Sequence, residues 1–103
     1  MDRIEKLKEF LATAPNDAFI MHALALEYVK KGEDDTAQEL FVTLLKHHVN
    51  YVGSYYHLGK LLERKQNVDE ALKVYEKGMQ IAKEIGDNHA FSELKGAHED
   101  LIY

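Results

Sequence analysis
The chain has 103 residues, 46% of them hydrophobic and 30% charged, with a single proline; that is one domain's length, enough to bury roughly 60–65% of its unfolded surface. Eighteen Asp and Glu against thirteen Lys and Arg give a formal net charge of −5 with no basic run, which argues against nucleic acid and anionic lipid as partners. Cysteine is absent, so disulfides, thiolate nucleophiles, zinc ribbons and iron–sulfur clusters are excluded.

Hydrophobic spacing predicts six helices. The first covers 2–14, with Leu7 and Phe10 on its apolar side. Its opening, MDRIEKLKEFLA, is charged throughout and lacks the apolar stretch of about 7 to 15 residues that marks a signal peptide. No apolar run in the chain reaches the roughly 18 residues that cross a membrane, so the expected location is cytoplasmic, with no membrane partner.

The second helix, 17–31, follows Pro15-Asn16-Asp17 and places Met21, Leu24, Ala25 and Tyr28 on one face. A third, 34–47, does the same with Ala37, Leu40, Phe41 and Leu44. The fourth, 51–65, carries Tyr55, Leu58, Gly59 and Leu62; the fifth, 68–85, carries Ala71, Val74, Tyr75 and Gly78 and stops at Gly86-Asp87. The sixth, 88–102, has a packing stripe of Ala90, Leu94, Ala97 and Leu101.

These helices repeat. A shift of 34 sets Tyr55 on Met21, Leu58 on Leu24, Gly59 on Ala25, Ala71 on Ala37 and Tyr75 on Phe41, preserving size class at each position. Each unit is a helical hairpin, in which small residues (Ala25 with Ala37, Gly59 with Ala71) are expected to let two backbones cross closely. Gly78 has Leu44 as its counterpart and is read as room for the following helix.

The pattern resembles the tetratricopeptide repeat family, whose 34-residue unit reads W-x2-L-G-x2-Y, then A-x3-F, then P. Here the first copy is Met21-x2-Leu24-Ala25-x2-Tyr28 with Ala37-x3-Phe41, and the second is Tyr55-x2-Leu58-Gly59-x2-Leu62 with Ala71-x3-Tyr75. Val49 and Lys83 replace the terminal prolines, so the fifth helix is expected to run on to Gly86. The resemblance implies an all-α fold, a short α-α superhelix of about six helices with two full repeats flanked by half repeats. Within a single domain, 1–14 is an N-terminal half repeat, 18–50 and 52–85 are the repeats, and 88–103 is a capping helix. Removing that cap, by truncation before Asn88, should lower the melting temperature or cause aggregation, because repeat units depend on their neighbours.

Candidate chemistry is sparse. His47-His48 is expected to be a solvated helix end. His98-Glu99 begins the H-E-x-x-H metalloprotease motif, but Ile102 stands where the second imidazole belongs. His89 and Glu93 have ligand spacing yet fall short of the three or four ligands of a zinc site, so a surface pair is expected. Ser54 and Ser92 lack a nucleophile elbow, and the six glycines form no phosphate-binding loop. No catalytic residue, metal or cofactor is assigned.

First helices of such repeats line the concave surface, so the resemblance implies a protein or peptide ligand there, at Phe19, His22, Leu26 and Val29, then Tyr56 and Lys60, with Gly53 and Arg64 beside them. A chaperone-tail clamp is disfavoured, since His22, Leu26, His57, His89 and Glu93 stand where its Lys, Asn and Arg would be. Two alternatives are weighed. Phe91, Ile102 and Tyr103 could join the capping helices of two copies in a homodimer. More remotely, His22, His57 and His89 could converge to give metal or pH-responsive binding.

Overall fold
The computed structural model describes residues 2–103, and these form six α-helices and no strand. The chain comprises two compact units, one ending at His48 and the other Val49–Tyr103.

In the first unit, α1 (Arg3–Thr13) and α2 (Ala18–Lys31) each start at an aspartate. Asp2 accepts from the Glu5 N–H at 2.8 Å and Asp17 from the Ile20 N–H at 3.0 Å, each satisfying one of the amides that a helix start leaves without a partner. Helix α2 ends at Gly32, whose φ of 81° lets the Glu33 N–H return to the Tyr28 carbonyl at 2.9 Å and sends the chain back as α3 (Asp34–His47). Between the hairpin's arms lie Leu24 and Ala25 from α2, with Ala37, Phe41 and Leu44 from α3; all but Leu24 are fully inaccessible. Helix α1 packs on α2 through buried Leu7 and through Arg3, whose Nε is 3.4 Å from the Glu27 carboxylate.

The second unit contains α4 (Gly53–Arg64), α5 (Val68–Ile85) and α6 (Asn88–Ile102), each packed against the other two. The α4–α5 turn has the same hydrogen-bond plan as its counterpart, with the Asn67 N–H on the Leu62 carbonyl at 2.9 Å, but the left-handed residue is Gln66, at φ 63°. Helix α5 runs on to Ile85 as expected, with 18 residues against the 14 of α3; the absent proline does not by itself set this length, because Val49 replaces proline after α3 as well and that helix ends at His47. It stops at Gly86 (φ 77°), and Asp87 then caps α6 by accepting from the Ala90 N–H at 2.9 Å.

All six helices fall within two residues of their expected limits; the largest offset is at α4, where residues 51 and 52 precede the helix proper. The hairpin crossing in this unit differs from the expectation. Gly59 clears the ring of Tyr75, one turn beyond Ala71: a Cβ at position 59 would lie 2.6 Å from Tyr75 Cζ and closer still to its Cε1, far inside van der Waals contact. Gly78 makes room as expected, since a Cβ there would sit 2.6 Å from Tyr55 Cβ and 3.0 Å from Leu94 Cδ1. Leu94 is thereby seated against both α4 and α5. Together with Ala90 and Ala97 it forms the buried face of α6, while Leu101 is only half-buried.

Candidate protein-binding surfaces
On α2 the proposed contacts Phe19, His22, Leu26 and Val29 fall at helical spacing along one face. They are not equally available. Phe19 is 69% exposed, whereas the other three are half-buried. The His22 ring meets Phe41 edge-on with centroids 5.8 Å apart, so part of this side chain belongs to the hairpin's packing.

On α4, Lys60 is exposed and Tyr56 half-buried. The Lys60 Nζ lies 5.7 Å from the centre of the Tyr56 ring and 3.6 Å from the Glu63 carboxylate. Glu63 also accepts a hydrogen bond from the hydroxyl of Tyr75, whose ring is fully buried. Burial and this carboxylate together push the Tyr75 phenol far above its ordinary range, so it remains a neutral donor. Burial also holds the neighbouring His57 below the usual imidazole value, against the opposing pull of Glu93.

Tyr56 and Lys60 face α6 across a pocket of about 240 Å³ whose other residues are Ser92, Glu93, Gly96, Ala97 and Asp100. Sequence reasoning missed this wall, although the signal was present. Two residues beyond the repeat's shift of 34, a shift of 36 sets Phe91 on Tyr55 and Leu94 on Leu58, and with them Ser92 on Tyr56, Gly96 on Lys60 and Asp100 on Arg64. A second depression, of about 370 Å³, lies in the first unit, where Leu11, Leu24, Tyr28 and Leu40 supply its apolar lining and Lys8 and Glu39 its charged groups.

The histidines sort differently from the expectation in two places. His47 is exposed, with Nδ1 2.9 Å from the Thr43 carbonyl, but His48 is half-buried and its Nε2 is inaccessible and without a hydrogen bond, so the pair is not a solvated end throughout. His98, left over from the failed metalloprotease motif, places Nε2 2.9 Å from the Glu76 carboxylate and ties α6 to α5. His89 and Glu93 form the expected surface pair at 3.5 Å. Among the described residues no group of three or more His, Asp or Glu is placed to hold a metal ion. Nor is any helix among them long and apolar enough to cross a membrane. Of the three residues considered for a dimer, Phe91 is half-buried, Ile102 is 49% exposed and Tyr103 is 97% exposed.

Comparison with known proteins supplies the context. A family model described as tetratricopeptide repeat matches residues 52–85. No curated protein matches the chain. The crystal structure of a tetratricopeptide repeat domain protein from Salinibacter ruber is similar at 40% identity with a TM-score of 0.79, covering 82% of this chain and 94% of that one. A protein from Bordetella parapertussis, known from its solution structure, has a TM-score of 0.85 over 99% of this chain and 89% of its own; at 22% identity this is a likeness of fold. MamA is similar at 25% identity with a TM-score of 0.67, and the match spans 95% of this chain but only 60% of MamA.

Proposed function
The chain belongs to the tetratricopeptide repeat family, and from that premise we propose that it is a non-catalytic, cytoplasmic interaction module that binds protein or peptide through its first helices, α2 in the first unit and α4 in the second. Proteins of this family generally serve as scaffolds. The observation that carries the reading is Phe19: an aromatic ring 69% exposed on a first helix, in line with half-buried His22, Leu26 and Val29, is an apolar anchor with no covering partner inside its own hairpin. Tyr56 and Lys60 offer the matching aromatic and polar contacts on α4.

Affinity capture from native lysate with wild type beside Phe19→Asp tests it. The side chain is exposed, so the variant should fold. Loss of a captured protein in the variant is the expected result. An unchanged capture profile would contradict the assigned surface. The exposure of Ile102 and Tyr103 favours a second reading, a homodimer through α6. Light scattering at high concentration, with and without Ile102 and Tyr103, separates the two; a monomer throughout discards the dimer.

A further inference from the structure
The fold accounts for four of the six glycines: Gly32 and Gly86 hold positive φ, and Gly59 and Gly78 clear side chains of other helices. Gly53 stands at the first position of α4, where a helix has not yet closed its hydrogen bonds. Gly96 does none of these. It lies inside α6 with an ordinary backbone conformation, and a Cβ built there would meet nothing within 4 Å. Glycine at such a position weakens a helix relative to alanine and returns nothing to the packing. What it leaves is an open floor to the 240 Å³ pocket between α4 and α6.

The charges around that floor are unbalanced. Lys60 is already held between the Tyr56 ring and the Glu63 carboxylate. On the opposite wall Glu93 and Asp100 stand two turns apart on one face of α6, with Gly96 between them. The Asp100 carboxylate is exposed and takes part in no hydrogen bond or ion pair among the described residues, and Glu93 keeps half of its side chain accessible beside His89. The pocket is also smaller than the roughly 300–1,000 Å³ of a small-molecule site, and suits one long side chain of a larger partner.

Building on the protein-binding function above, we propose that the segment held here is basic: a lysine or arginine of the partner protein crosses Gly96 and places its cation between Glu93 and Asp100, with its aliphatic stem against Tyr56. Each contact has a physical reason. Carboxylates accept charge-assisted hydrogen bonds from a guanidinium or ammonium group. The stem of a long cationic side chain packs on an aromatic face while its head stays wet. A missing Cβ lets a second backbone come close.

A random dodecapeptide display library panned on the folded protein tests this, followed by affinity measurement of the selected peptides on variants. Selected sequences should share a Lys or Arg, bind less tightly as salt rises, and lose about three- to tenfold in affinity with Asp100→Asn or Glu93→Gln. Gly96→Leu should abolish binding while raising Tm by about 4–8 °C, because a leucine favours the helix and finds space in the empty pocket. Selected peptides without basic residues would overturn the proposal, as would affinities indifferent to the carboxylates or to Gly96. Peptides lost with Phe19→Asp but not with Asp100→Asn would sink it while leaving the broader function standing. Failure to select any peptide would overturn both.

Discussion

The two hairpins solve one packing problem with different side chains. In the first, Ala25 faces an α3 whose Phe41 is fully buried, and Val29 stands one turn further along α2. In the second, the equivalents are Gly59, Tyr75 and Glu63. The hydroxyl that distinguishes Tyr75 from Phe41 needs a partner when buried, and Glu63, where the first hairpin has valine, supplies it. Reaching that carboxylate brings the ring over position 59, where only glycine fits. Three differences that look independent in the aligned sequence are thus one linked change.

That linkage can be broken. Gly59→Ala should destabilise the protein by about 1–3 kcal/mol, since the methyl meets a rigid ring flanked by packed helices. Adding Tyr75→Phe and Glu63→Val, which rebuilds the second hairpin on the plan of the first, should recover much of the loss in urea denaturation. Next in size, Glu63→Val alone leaves the Tyr75 hydroxyl buried without an acceptor and should cost about 1–3 kcal/mol. Combined with Tyr75→Phe the cost should shrink, giving a non-additive double-mutant cycle. Additive losses would show that the two residues are not coupled.

The turns provide a stabilising test. Gly32 and Gln66 occupy equivalent left-handed positions, but only glycine does so without steric penalty. Gln66→Gly should therefore raise stability by about 1 kcal/mol.

The smallest effect concerns pH. His57 has its imidazole value lowered in the fold by burial, whereas the unfolded chain titrates near the ordinary 6.5. As pH falls through that value the unfolded chain takes up the proton first, so this group's contribution to stability declines on the acid side and levels off below the folded value. His57→Gln, which cannot titrate, should flatten the slope of Tm against pH between about 7 and 5.

Helical periodicity made the six elements legible almost to the residue, because each hairpin repeats the same small and large positions. The left-handed turn at Gln66 was less visible, since glutamine announces nothing about φ and only the alignment with Gly32 gives it away. The Tyr75–Glu63 hydrogen bond joins different helices and has no local signature. On the candidate surface, Tyr56 and Lys60 could be placed from the repeat. The facing wall of Ser92, Gly96 and Asp100 has a weaker signature, because the periodicity of α6 announces its buried stripe and only a shift of 36, not the 34 of the repeats, sets the wall against Tyr56, Lys60 and Arg64. Burial, too, is not written in the spacing: Phe19 and Leu26 share a face, yet the first is open and the second half-covered.

Hydrogen–deuterium exchange of the protein alone and with its captured partner tests the central claim most directly. Binding should slow exchange on α2 around Phe19–Val29 and on the facing surfaces of α4 and α6, leaving α3 and the outer face of α5 unchanged. Protection confined to α3 and α5, or to the Ile102–Tyr103 end, would contradict it.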